Sequence, residues 1–410
     1  MRQPGARILS MCTVFPTPAE PGRGLFVRSR LEMISGNAGV RVIAPVPMFR
    51  KRASPAPCEH LIEVLHPRWF YIPGTGAITP FLLFARLLPL IGRIRRDFPF
   101  DILDAHFGYP DGIAAALVSS VCGAPFMITL RGSELLHARY PLRLKLMSWA
   151  FRRASRIIAV SGQLAQFAVD HGADPACVRK IPNGLNAAMF HPRDRQAMRA
   201  KHNLPLDRPV ILSAGHLIEL KGHHRAAVAV RMLHNSGIRA LLVIAGGSPA
   251  RGAVDYSETI RETVSDLNMG NHVRFTGEVP PATMAELMSA ADVFCLASSR
   301  EGWPNVVHEA LGCGTPVVAT RVGAAPELVA SPEYGILTPP GDVPALASAL
   351  KRALETEWDR VAIARWGARR SWRDVAGEVL EEIRQVVAER RARLQIAGAP
   401  RQKKVQDELC

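Results

Sequence analysis

The sequence predicts an α/β protein built from two doubly wound domains, and three observations carry that prediction. Short β-branched or apolar runs, bounded by Gly, Pro or Asp, alternate with helix-like segments almost throughout. The alternation falls into two series, parted by a proline- and charge-rich stretch at about residues 190–209. The chain has 410 residues, 48% of them hydrophobic, which suffices for two or three domains with buried cores. Strands alternating with helices make parallel sheets covered on both faces.

In the first series, strands are expected at 7–14, 40–46, 101–105, 125–130, 156–160 and 178–181. Helices are expected at 25–35, 79–96, 111–121, 141–153 and 161–169. In the second series, strands are expected at 210–214, 240–245, 273–276, 293–297, 316–319 and 335–337. Helices there are expected at 223–235, 256–267, 281–290 and 343–354, with Gly237 and Gly270 as stops. Trp372 opens a last helix, about 373–394. The domains are therefore expected at 1–195 and 205–370, with a final helix at 371–395 and a basic, disordered tail at 396–410. In such folds ligands bind beyond the carboxyl ends of the strands.

Lys and Arg number 51 against 36 Asp and Glu, a net charge of +15 that favours anionic partners. No nucleic-acid recognition motif accompanies the charge, and no nucleic-acid partner is expected. The 7 cysteines are scattered without CxxC or metal-ligand spacing, which fits reduced thiols in the cytoplasm. Residues 1–14 lack the pattern of a secretory signal. The longest apolar stretch, 77–91, is broken by Pro80, Arg86 and Pro89 and is shorter than the ~20 residues of a spanning helix. Two segments, 81–96 and 140–156, mix large apolar side chains with arginines. Near an anionic lipid surface each cation contributes ~1 kcal/mol. The expected location is cytoplasmic, with peripheral contact at the inner face of the membrane.

The richest segment is 298–320. Glu301 sits in a loop after an apolar run, and Glu309 sits about two turns into a short helix. Pro304 suits the first turn of that helix, and Gly312 and Gly314 suit its end. A helix beginning near Asn305 offers unpaired N–H groups to an anion. One segment thus supplies a phosphate cradle and two acids able to accept sugar hydroxyls. Upstream, Gly215-His216 and Lys221-Gly222 follow the first strand of the second series. A lysine at that strand-to-helix turn can neutralise a diphosphate.

Glu301-x7-Glu309 followed by Gly-Thr-Pro-Val-Val-Ala-Thr resembles the retaining glycosyltransferases of family 4, and the resemblance runs from about Arg7 to Val387. It implies the GT-B fold, in which two Rossmann-like domains face each other across a cleft and a C-terminal helix returns to the first. It implies transfer of a sugar from a nucleoside diphosphate sugar to a hydroxyl acceptor, with an α linkage. The expected setting is cell-surface polysaccharide or lipid-linked glycan synthesis. By the same resemblance, Glu309 holds the donor ribose and Glu301 the transferred sugar. The backbone of Gly302, Trp303, Asn305 and Val306 lines sugar and diphosphate, and Lys221 stabilises the leaving group. Gly215 and Gly24 belong to loops that approach the donor.

Two positions depart from the family. His216 stands where an arginine is expected, and Arg131 stands where many members carry a histidine. Arginine stays protonated and cannot serve as a base, although it can stabilise negative charge. His106 and Asp111 follow a first-domain strand and are expected to point into the cleft, with His106 and Arg131 as catalytic candidates beside Glu301 and Lys221. The Asn183-Gly184 turn and Glu327 read as structural. No Asp-x-Asp triplet occurs, so no metal and no cofactor are expected. Two other readings stay open: a sugar-nucleotide-binding protein without transferase activity, and a sugar-nucleotide epimerase of similar fold.

Overall fold

The computed structural model describes residues 5–17, 20, 22–48, 62–71, 76–248 and 254–398. Two parallel sheets form its frame. The first has seven strands in the order Glu63–Leu65, Gly39–Ile43, Arg7–Met11, Ile102–His106, Phe126–Leu130, Arg156–Ala159, Val178–Lys180. The second has six, in the order Val273–Gly277, Leu241–Ala245, Val210–Ala214, Val293–Leu296, Val317–Thr320, Gly335–Thr338. In each sheet the earliest strand lies inside and later strands flank it, so the winding reverses beside Arg7–Met11 and beside Val210–Ala214. Loops leaving those strands at their carboxyl ends line a crevice at the reversal.

The central strands are buried along their whole length because helices cover both faces, and most of their residues are apolar. Every residue of Ile102–His106, Phe126–Leu130, Val210–Ala214 and Leu241–Ala245 is buried. Helices Leu25–Ser35, His223–Asn235 and Pro281–Ala290 begin and end where the apolar periodicity and the Gly and Pro punctuation place them.

The final helix, Trp372–Gly398, returns to the first domain. Its Val375, Val379, Leu380, Ile383 and Val387 share a core with Ile8, Leu31, Ile34 and Ile158. The i, i+4, i+8 spacing puts these side chains on one stripe. Each buried aliphatic side chain there stabilises the docking by about 1.5–3 kcal/mol. Ile383→Asp would break it. The helix runs to Gly398, past the expected start of the basic tail at 396, and the remainder of that tail lies outside the described residues.

Other elements differ from expectation. The stretch expected as a linker holds the helix Arg195–Lys201, begun by Asp194 capping the Ala197 N–H. That helix packs on the second domain through Arg199 with Asp292, and through Lys201 and His202 with Glu286. The strand Glu63–Leu65, the pair Val46–Pro47 with Arg68–Trp69, and the helix Arg360–Ala368 were not expected. The strands are too short to show a period, and arginines at both ends of the helix obscure its apolar face. The cysteines within the described residues are all free thiols. No helix among the described residues is long and apolar enough to cross a membrane.

Candidate active site

The second domain builds its part of the site on two loops. Gly215 has φ 141° and Gly222 φ 68°, backbone that favours glycine, and between them the 3-10 turn Glu219–Lys221 carries the lysine inward. Lys221 Nζ donates to Glu301 Oε1 at 2.7 Å, and Ser298 Oγ donates to the same oxygen at 2.7 Å. The loop acid and the turn lysine therefore form one unit. His223 supports the turn from beneath. Its Nε2 lies 3.2 Å from the Gly215 carbonyl and its Nδ1 2.9 Å from Ser213 Oγ. Burial lowers its pKa to about 4, so the ring is neutral and donates from Nε2. Sequence reading passed over His223 and Ser298, since a His on a helix face and a Ser in a loop carry no distinctive pattern. His216 is exposed on the loop rather than packed beneath it.

The helix Asn305–Gly312 starts one residue after Pro304, as expected. Its first N–H groups, Asn305 and Val306, have no backbone partner among the described residues, as helix geometry requires. Glu309 is half-buried one turn further on, and no hydrogen bond to its carboxylate is found among the described residues. Burial pushes its pKa up to about 7. It borders a cavity of about 400 Å³ between this helix and the helix Leu25–Ser35 of the first domain, with Gly22, Phe26, Asn186 and Asn305 also on the wall. Lys221 and Glu301 do not line that cavity. The indole of Trp303 turns elsewhere, so only its backbone fits the expected role.

The first domain corrects two expectations. His106 and Asp111 do not face the cleft, because both are fully buried. Asp111 accepts from the Thr13 N–H at 2.9 Å and from its hydroxyl at 2.8 Å. His106 lies 3.0 Å from Ser10 Oγ, 3.3 Å from Asp104 and 3.2 Å from an Arg131 nitrogen. Burial, aided by Arg30 and Arg131, lowers its pKa to about 3 against the pull of Asp104, so it is a neutral structural ring. Gly24 lies at the turn between the first strand and the helix Leu25–Ser35. It is buried at φ 70°, and a Cβ there would meet the Val14 carbonyl oxygen at 2.2 Å. It shapes the turn, while Gly22 reaches the cavity wall.

Around His106 lies a polar cluster that the sequence did not disclose. Arg30, 1% exposed, donates to Asp104 at 2.8 Å and to Thr129 Oγ1 at 2.8 Å. Burial would raise the Asp104 pKa, but Arg30, His106 and Arg131 overcome it and hold Asp104 well below the carboxylate range. Arg131 is buried beside them, and burial with the nearby Arg30 lowers its pKa to about 9, still charged at neutral pH. It donates to Asn183 Oδ1 at 3.3 Å, and Asn183 Nδ2 donates to Asn305 Oδ1 at 3.0 Å. A hydrogen-bonded line thus runs from the first sheet to the start of the Asn305–Gly312 helix.

The lobes touch where side chains are missing. A Cβ on Gly302 would lie 2.0 Å from the Arg131 carbonyl oxygen, and one on Gly132 would lie 2.6 Å from the Gly302 Cα. At the hinge, Leu185 N donates to the Arg370 carbonyl at 2.9 Å and Leu185 pairs with Ser371 in parallel, so the two chain crossings run side by side. Glu327 bridges the lobes, accepting from the Gly162 N–H at 2.8 Å and lying 3.4 Å from Lys180 Nζ.

Comparison with known proteins agrees with this architecture. Residues 24–188 match the model of Glycosyltransferase Family 4, and residues 194–370 match that of Glycosyl transferases group 1. The chain is 29% identical over 366 residues to a Bacillus subtilis protein named for teichuronic acid biosynthesis, the glycosyltransferase TuaC, covering 84% of this chain and 88% of that one. It is 34% identical over 247 residues to a D-inositol 3-phosphate glycosyltransferase of Acidothermus cellulolyticus, covering 58% of this chain and 55% of that one. Among solved structures, sucrose-phosphate synthase from Thermosynechococcus elongatus superposes with a TM-score of 0.76 at 22% identity, covering 93% and 100% of the two chains. Anabaena HepE in complex with UDP gives 0.74 at 21% identity, covering 92% and 100%. With paired parallel sheets, a returning C-terminal helix and both halves matched in order, the chain belongs to the family 4, group 1 glycosyltransferases and has the GT-B fold.

Proposed function

We propose that this glycosyltransferase takes a sugar from a nucleoside diphosphate sugar and places it on a hydroxyl acceptor with retention of configuration. The observation that carries the reading is the second domain's combination of a lysine–glutamate pair with helix N–H groups and an acid that have no partner among the described residues. Each element matches one part of such a donor. Glu309 would accept the ribose hydroxyls. The Asn305 and Val306 amides and Lys221 would take the diphosphate, and Glu301 would receive a sugar hydroxyl beside the lysine. Gly215 lets the loop come close, and exposed His216 is free to add a hydrogen bond. As the glycosidic bond breaks, Lys221 and the helix N-terminus would neutralise the departing diphosphate. Metal independence is part of this proposal, and added chelator would leave turnover unchanged.

The HepE structures are with UDP and UDP-glucose, so uridine donors are the first to try. A thermal-shift series across nucleoside diphosphate sugars tests the reading. One donor should raise the melting temperature, and acceptor should then accelerate diphosphate release. A donor that binds without acceptor-stimulated release would oppose it.

Cell-surface polysaccharide or lipid-linked glycan synthesis at the cytoplasmic face of the membrane is the setting we propose. Supporting it, Ile78, Phe81, Tyr140 and Leu142 are exposed on the first domain. Arg143 stands among them, 4.1 Å from the Tyr140 ring centroid and close against Gly76. Binding to anionic liposomes should fall as salt rises, and salt-insensitive binding would contradict the charge contribution.

A further inference from the structure

Glu134 is a fully buried acid to which the donor reading gives no part. It stands at the end of the loop that leaves the strand Phe126–Leu130, and its carboxylate joins that loop to the next. One oxygen, Oε1, accepts from the Gly108 N–H at 2.8 Å, on the loop that leaves the strand Ile102–His106. The other, Oε2, accepts from the Gly132 N–H at 2.7 Å and from the Arg131 N–H at 3.2 Å. We infer that Glu134 is a positioning residue for transfer: it clamps two loops at the carboxyl edge of the first sheet so that Arg131 and Gly132 meet Gly302 of the other lobe, and through Gly302 it fixes the place of Glu301.

Burying a carboxylate is costly, and the N–H groups of Gly108, Arg131 and Gly132 offset that cost with charge-assisted bonds. Burial raises the pKa of Glu134, while those same bonds oppose the rise. The bonds to Arg131 and Gly132 are local and shape the turn. The bond to Gly108 reaches back 26 residues, which turning the chain into the helix Glu134–His137 does not require. Gly108 can come so near because it has no side chain. A Cβ there would lie 3.1 Å from Glu134 Cγ and 3.3 Å from the Phe151 ring.

The clamp continues across the lobes. The Arg131 carbonyl and the Gly132 Cα press on Gly302 so closely that neither glycine has room for a methyl. Gly302 follows Glu301, whose carboxylate is joined to Lys221, and its own carbonyl accepts from the Ala324 N–H at 2.9 Å. Close-packed backbone passes a displacement on rather than absorbing it. Glu134 has no exposed surface, so it acts through this contact and not on a substrate.

The test compares the wild type, Glu134→Gln, Gly302→Ala and the double variant, each as the full chain, by hydrogen exchange and by UDP release from UDP-glucose. Glutamine keeps one acceptor oxygen and turns N–H donors against the other loop. In Glu134→Gln, exchange should quicken about tenfold or more at Gly108, Arg131 and Gly132, and also at Ala324 across the cleft, with the strand Phe126–Leu130 unchanged. UDP release should slow about tenfold while the Kd for UDP-glucose stays within about twofold of the wild type. In the Gly302→Ala background, where the contact is already open, Glu134→Gln should slow release by less than about twofold more. Unchanged exchange at Ala324 would overturn the inference, as would two losses that multiply in full or a donor affinity that falls in step with turnover. The kinetic arm rests on the donor reading above. A wild type that neither binds nor turns over UDP-glucose counts against that reading for this donor, and exchange at Ala324 then decides the role of Glu134. Should Glu134→Gln not fold, Glu134→Asp, charged but one methylene too short to span both loops, takes its place with the same expected results.

Discussion

The two lobes treat their charged residues in opposite ways. In the first, Arg30, Asp104, His106 and Arg131 are buried together and hydrogen-bond one another and the neighbouring Ser10, Thr129 and Asn183. In the second, Glu309 has no side-chain partner among the described residues, and the Lys221–Glu301 pair keeps 20% and 10% of its side-chain surface exposed. The first arrangement fixes a frame, because moving any member would strand a buried charge. The second keeps acceptors and a cation ready for exchange with a ligand. Charged residues at strand ends are thus not equivalent, and partners and exposure separate scaffold from site.

Substitutions can break that contrast, beginning with the largest effect. Asp104→Ala would leave Arg30 without its carboxylate and should lower unfolding free energy by about 3–5 kcal/mol. Urea denaturation would show it, and a donor affinity that fell equally in the folded variant would erase the distinction between the lobes. Glu309→Ala should do the reverse. Losing two charge-assisted hydrogen bonds costs about 3 kcal/mol or more, over a hundredfold in donor Kd, with stability preserved. Gly302→Ala should come next. A methyl facing the Arg131 carbonyl would prop the lobes apart, and turnover should fall roughly tenfold, about 1.4 kcal/mol, while donor binding to the second domain persists.

The smallest effects are pH dependences, and they too differ in kind. Glu309 keeps its proton up to about 7 because of burial. If its ionised form receives the ribose, donor affinity approaches its full value about one unit above pH 7 and weakens as pH falls, roughly fivefold between pH 7 and 6. Glu309→Gln should remove that slope. His106 holds its neutral form down to about 3, whereas the unfolded chain protonates it near 6.5. Its contribution to stability is therefore whole above pH 6.5 and is lost as pH falls towards 3. Urea midpoints measured from pH 8 to 4 should show that decline.

Much of this was legible beforehand, for physical reasons. Val210–Ala214 and Leu241–Ala245 are buried on both faces, so hydrophobicity alone marked them. The Asn305–Gly312 helix announced itself through proline before it and glycine at its end. What stayed hidden depends on distance in three dimensions. His106 follows a strand as a ligand-binding residue would, yet Arg30, 76 residues earlier, closes over it. Asn183 reads as a turn residue, and only the folded chain shows it joined to Arg131 and Asn305. The helix Arg195–Lys201 was masked by the charge that pairs it with Asp292 and Glu286.

The paired crossings at Leu185 and Ser371 have a mechanical consequence. Two ribbons laid side by side bend readily across their common plane but resist twisting and sliding, so they behave as a leaf spring with a single soft direction. Shortening the protein before Trp372 would leave one ribbon, and the upper and lower halves could then swivel out of register while each kept its own shape.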